Sequence, residues 1–492
     1  MTMKLFCETC GKELGINESQ LGKRIKCPHC GGVFTASDAA APKIGIIADK
    51  IADVAGLERI QGFSWGGLFS EVFRSHTEEE LERHWAAGSV GNIPTIDKVD
   101  TSWPQPWVFV RVFFLALLTY GILYFGWSKW QNSNLIPGLV AVGTFAMPLT
   151  LVIFFFEMNA RKNVSFYLAM KAFFVGGVLS LITSLFMFQV SYFFGLGWLG
   201  DSVAGVAEEI GKLMAVLIIV RSARYGYILN GLLFGAAIGA GFAAFESAGY
   251  ALNQLLNGVI KISINNADDI LKKLATLDTA EAGQLLSSVM ETIKAKSIPP
   301  MFDNIIMRAW LTGLAAHILW TGMSAGALWL VKGARPFQWA MLLDYRFLRI
   351  FAIAVGCHMV WNSDWQPNFI TEYDKYFLLG LISWCVVFAM IQSGLSQLRS
   401  EKAMYKAAPE TESGLGEVIR EQATYVQSLL TLRHNPLPMP SSLPVPKPKE
   451  AVQKQGHLNI QEQVNDSDKR EANRPKPSLS NRAWQKYYKK DE

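Results

Sequence analysis

Apolar runs of about twenty residues follow one another from residue 107 to residue 394. An α-helix needs roughly that many to cross the hydrocarbon core of a bilayer. Inside lipid, every backbone N–H and C=O must be paired within the protein, so runs of this kind are read as spanning helices. The pattern predicts spans at 107–127, 135–156, 166–195, 203–220, 227–252, 305–331, 346–362 and 376–394, about eight crossings. The fourth carries charges and the seventh is short. Composition agrees: 18% of residues are charged, against about 25% in a soluble chain, and the charges gather at the two ends. The expected fold class is therefore all-α and polytopic, with about eight transmembrane helices.

The polar ends divide further. Residues 1–36 form a small cysteine-bearing module, and 37–106 read as a linker followed by a cytoplasmic helical segment. Residues 107–394 are the membrane domain, and 395–492 a disordered cytoplasmic tail, rich in proline and lysine and then charged throughout. Thr77 caps a short charged helix running to Trp85, on which His76 and His84 are expected to be solvated. Between the fifth and sixth spans, residues 254–304 carry apolar residues at helical spacing. They read as a helical hairpin on the membrane surface or, more sharply, as a lid over the substrate entrance.

Orientation follows from short loops. Arg161 and Lys162, Arg221 and Arg224, and Lys332 with Arg335 sit on one side, while residues 191–202 hold no Lys or Arg. Basic loops stay cytoplasmic, so both termini are expected there, in a multi-pass protein of a bacterial inner membrane. No signal-peptide pattern opens the chain. The net charge of +5 needs no nucleic acid to explain it, since it fits the same loop bias.

Four of the six cysteines fall in the first thirty residues, as Cys7-x-x-Cys10 and Cys27-x-x-Cys30. Two such knuckles suit a structural zinc ion held by four thiolates. Gly11 and Gly31 follow the knuckles, where backbone freedom is needed. Cytoplasmic thiols stay reduced, which argues against disulfides. Only Lys23, Arg24 and Lys26 offer a basic patch, so the zinc ribbon is expected to be a module that docks a cytoplasmic protein, or a purely structural one, and not a nucleic-acid reader. Cys357 and Cys385 lie in apolar runs and read as small buried hydrophobes.

Ionisable groups at membrane depth cost about 2.5–3.5 kcal/mol each on insertion scales. Away from span ends, the acids of the apolar block are Glu208, Glu209 and Glu246, and its histidines are His317 and His358. Lys212 lies one helical turn after Glu208 and can pair with it. Gly231, Gly235 and Gly239 lay bare one face of the helix that carries Phe242 and Glu246, which lets a neighbour approach closely. His358 and Asn362 share a face. Five costly or titratable groups on four segments are best explained by one shared polar site. Cleaving a peptide bond in lipid needs a base and oxyanion stabilisation, and Glu and His supply both, with or without a metal. No His-Glu-x-x-His occurs.

Glu208-Glu209-x-x-Lys212, Phe242-x-x-x-Glu246, His317 among small residues and His358-x-x-x-Asn362 together resemble the PrsW family, relatives of the CAAX prenyl endopeptidases. The resemblance covers about residues 107–394, with the motifs in the family's order. It implies an intramembrane endopeptidase, of metallo- or glutamate type, that cuts membrane-anchored protein substrates in regulated proteolysis or stress signalling. Glu208, Glu209, Glu246, His317 and His358 would be its catalytic or metal-binding residues, with Asn362 supporting. Glu208 or Glu209 would activate water, and a membrane-site zinc would sit on His317, His358 and Glu246. The ribbon, the tail and the 254–304 insertion depart from a minimal member. Buried Glu and His also mark ion pathways, so a proton- or ion-coupled transporter or channel is the rival reading, and a non-catalytic sensor or scaffold the third.

Overall fold

The computed structural model describes residues 2–6, 13–17, 23–28, 31, 33–35, 43–89, 91–220, 225–314, 316–367 and 371–407. Two antiparallel hairpins open the chain, β1 (Thr2–Phe6) with β2 (Glu13–Asn17), and β3 (Arg24–Lys26) with β4 (Val33–Thr35). Each CxxC falls in the connection of one hairpin. Cys27 is buried, and Gly31 has φ +75° with its N–H bonded to the Cys27 carbonyl at 2.9 Å, a conformation that favours glycine. Cys7, Cys10, Cys30 and Gly11 lie outside the described residues.

The segment expected as linker is structured. Helix α1 (Lys43–Ala55) packs on the last span, with Ala52, Ala55 and Leu57 buried in the main core. The short α2 (Trp65–Leu68) follows, then α3 (Glu78–Trp85). Thr77 caps α3 in a full capping box with Glu80. His76 and His84 are not solvated. The His76 ring stacks on Trp107 at 3.6 Å with only 2% of its side chain exposed, and His84 packs edge-on to Phe156. The sequence hid this because their partners lie on spans far along the chain.

The membrane helices are α4 (Val108–Trp130), α5 (Ile136–Met158), α6 (Phe166–Lys171) running through a π-helical turn into α7 (Gly177–Phe193), α8 (Val203–Ile219), α9 (Ile228–Leu274), α10 (Thr279–Gly313), α11 (Ala316–Lys332), α12 (Tyr345–Asn362) and α13 (Glu372–Ala407). Six spans are long and apolar enough to cross a bilayer, counting α10 with α11 as one. The two remaining expected spans are α8, 17 residues long, and α12, 18 residues long. Helix α8 is short and carries three charges of the site, and α12 carries Arg346 and Arg349 besides His358 and Asn362.

Two further boundaries differ from expectation. Residues 254–304 form a helical hairpin, as expected, but one continuous with the spans: α9 runs for 47 residues in all, ~70 Å at 1.5 Å per residue, the chain turns at 275–278 and returns as α10. The expected tail does not begin at 395, since α13 runs on to Ala407 with Gln397, Leu398 and Glu401 buried. There Gln397 accepts from the Ile228 N–H at 3.1 Å and Glu401 from the Tyr227 hydroxyl at 3.1 Å. Residues 408–492 lie outside the described residues, as do Arg221 and Arg224.

Close helix approach sets up the site. Gly231, Gly235 and Gly239 of α9 all face α11, and a Cβ on Gly239 would lie 2.5 Å from the His317 carbonyl oxygen. Gly205 does the same between α8 and α12, where a Cβ would lie 2.5 Å from the Met359 nitrogen. Side chains on neighbouring helices can then meet within one hydrogen-bond length.

Candidate active site

Four helices deliver the polar side chains. The first turns of α8 carry Glu208, Glu209 and Lys212, which are 7%, 0% and 0% exposed. The Lys212 ammonium donates to Glu208 Oε2 at 3.1 Å and Glu209 Oε1 at 2.9 Å, and lies 3.0 Å from His317 Nδ1. It also lies over the Phe242 ring at 4.1 Å, a cation–π contact that strengthens away from water. Phe242 and Glu246 come from α9, one turn apart.

His317, near the start of α11, links the two halves. Its Nδ1 faces the Lys212 ammonium, and its Nε2 lies 3.4 Å from Glu246 Oε2. His358, on α12, is fully buried. Its Nδ1 is 2.9 Å from Glu209 Oε1. A carboxylate already paired to lysine only accepts, so Nδ1 donates and the lone pair is on Nε2. That Nε2 is buried with no hydrogen-bond partner among the described residues, 3.7 Å from Glu208 Oε2. The two imidazole rings lie 4.9 Å apart, and Trp320 stacks on His358 at 4.5 Å, with its indole N–H given to Ser383.

The three glutamates and two histidines expected to converge do so. Asn362 sits one turn beyond His358 at the end of α12 and takes no part in the bonds that build the cage. One residue escaped the sequence reading. Arg308 of α10 pairs with Glu246, donates from Nε to Ser247 Oγ at 2.9 Å and lies over the Tyr250 ring at 4.3 Å. Its signal was present, a cation near the start of the 305–331 span, but the sequence reading weighed only acids and histidines there. A cavity of about 50 Å³ adjoins the cage, lined by Ala243, Arg308, Leu311, Thr312, His317 and Trp361. A larger one, about 570 Å³, lies apart from it, around Glu157, His84 and Trp107.

Glu208, His317 and His358 each offer one donor atom, and these atoms lie within 4.8 Å of one another. Two imidazoles and a carboxylate are a catalytic zinc donor set, and the unpartnered His358 Nε2 suits a ligand role. The group has Glu208 in the place expected for Glu246; Glu246 pairs with Arg308.

A family model described as PrsW family intramembrane metalloprotease matches residues 147–392, half of the chain. This chain belongs to the PrsW family. No curated protein and no solved structure matches it. The matched PrsW region holds every residue of the cage together with Arg308, and it leaves α1 to α4 outside. Family and helices together make the chain a multi-pass membrane protein with an intramembrane metalloprotease domain.

Proposed function

We propose that this chain is a zinc endopeptidase of the membrane interior that cuts membrane-anchored proteins in regulated proteolysis or stress signalling. The observation that carries the reading is the buried, unpartnered Nε2 of His358 beside Glu208 and His317. Those three residues would hold the ion, which supplies a polarised carbonyl and a water of lowered pKa.

The chain's own groups do the rest. Glu209 accepts from His358 and so holds the ring with its lone pair on Nε2. Lys212 balances the two carboxylates of α8. Glu246, bonded to two residues that line the small cavity, takes the proton of the attacking water. It takes that role in place of Glu208, which is given to the ion, and of Glu209, which orients His358. Arg308 donates to the developing oxyanion, and Phe242, Trp320 and Trp361 exclude bulk water, which strengthens each of these interactions. Asn362 supports the substrate backbone beyond His358.

A metal-independent version of the chemistry rests on Lys212, whose fixed charge already reaches Glu208, Glu209 and His317. In either version α8 and α12 complete eight crossings. Both termini face the cytoplasm of a bacterial inner membrane, and a second zinc sits on Cys7, Cys10, Cys27 and Cys30 of a ribbon that docks a protein partner. The hairpin pairing and the Gly31 turn support the ribbon. Metal analysis of the full chain tests the scheme. We expect two zinc ions per chain, one in Cys7→Ser/Cys10→Ser, and loss of that last one when His317 and His358 are also replaced by Ala. A Cys7→Ser/Cys10→Ser protein that holds no metal and still cleaves would transfer the chemistry to the glutamates and Lys212.

A further inference from the structure

Three large aromatic side chains ahead of the first span face away from the protein. Trp65, Phe69 and Phe73 are 59%, 41% and 92% exposed, on α2 and the turns after it. Trp65 and Phe69 stack with ring centroids 6.5 Å apart. The opposite side of the same stretch is fastened down, with Leu68 and Val72 buried. Contiguous exposed apolar surface of this kind marks an interaction site.

Neighbouring helices give its depth. Upstream, the Glu58 N–H donates to Ser393 Oγ at 3.3 Å and the Glu58 carboxylate accepts from Ser396, both on α13. Trp65 then packs edge-on against Phe388 of that helix at 5.7 Å. Phe388 lies five residues further into the span than Ser393, ~7.5 Å at 1.5 Å per residue. Phe69 meets Phe109 in the first turn of α4 at 6.3 Å. Arg74 lies level with the start of α4: Arg111 donates to the Arg74 carbonyl at 2.7 Å and lies over Trp107, the Trp and Arg chemistry of a headgroup layer. Residues 58–74 therefore dip towards the bilayer centre and return.

We propose that residues 63–73 are an in-plane anchor whose Trp65, Phe69 and Phe73 insert into the headgroup–acyl boundary of the leaflet where α4 begins. Lipid is the occupant because the patch runs on into the outward side of α4, where Phe114, Leu115 and Leu118 are exposed along a spanning helix. An apolar face beside cationic groups is the usual make-up of an interfacial anchor. The anchor fixes α3 and the polar N-terminal region at the bilayer surface, independently of the chemistry of the cage.

Photo-crosslinking tests it. The full chain carries p-benzoylphenylalanine in place of Phe73 or, as control, of Glu79, whose side chain is 83% exposed. Each protein is irradiated in phosphatidylethanolamine–phosphatidylglycerol vesicles, and the digest is read by mass spectrometry. Both sites are exposed, so neither change disturbs packing. The anchor predicts several-fold more acyl-chain adduct at position 73 than at 79. Equal yields, or crosslinks from 73 to a second copy of the chain in place of lipid, overturn it.

Discussion

Lys212 is the residue on which the cage depends. Its ammonium is fully buried and touches both carboxylates of α8 and an imidazole of α11. Removing one partner of a buried ion pair strands the other charge and costs about 3–5 kcal/mol. Lys212→Met should therefore lower the melting temperature of the purified protein sharply. Adding Glu209→Gln should recover part of the loss, since it deletes one stranded charge. An unchanged melting curve for Lys212→Met would mean that the carboxylates reach water. The pairing of Glu208 with Lys212 was legible in their spacing. The bonds to His317 and His358 were not, because they join positions 105 and 149 residues apart.

Among the elements, α3 shows how a surface-looking helix can be part of the packed structure. Its charged face is evident from the sequence, but His84 is pressed between Trp85, Trp107 and Phe156. Burial, followed by the charge of Lys162, holds its imidazole down at about 4 from the usual 6.5. The folded form thus favours neutral His84. Its contribution is complete above about pH 6.5 and fades as pH falls towards 4. Between pH 7 and pH 5 the docked helix should lose about 2 kcal/mol. The protection factors of the α3 amides, corrected for the intrinsic exchange rate at each pH, should fall over that interval in the native chain and not in His84→Gln. The glycines of α9 are a contrasting element-scale feature. Their four-residue repeat announced a close neighbour, and only the fold identified that neighbour as α11, the helix that carries His317.

At the scale of the whole molecule, the membrane domain is wider than the apolar block. Helix α1 contributes Ala52 and Ala55 to the main core, joined by Leu57 just past its end, and the end of α13 is tied to the start of α9 and the preceding Tyr227 through Gln397 and Glu401. A chain lacking residues 1–57 should melt below one lacking residues 1–42. Equal melting temperatures would show that α1 rides on the surface without stabilising it. These additions were missed because α1 is short and amphipathic and lacks the length of a span, while the last turns of α13 are polar. Neither announces burial until a partner helix is known.

Local chemistry decided much of this protein in advance. Span length and the cost of charge in lipid gave a helical membrane bundle and singled out Glu208, Glu209, Glu246, His317 and His358, since each must repay its own insertion penalty. The paired CxxC knuckles marked the N-terminal module in the same way. Only the tertiary structure decided that Glu208 completes a donor set with the two histidines while Arg308 claims Glu246. Which carboxylate meets which cation depends on the rotation and approach of separate helices, and no periodicity along one chain encodes that.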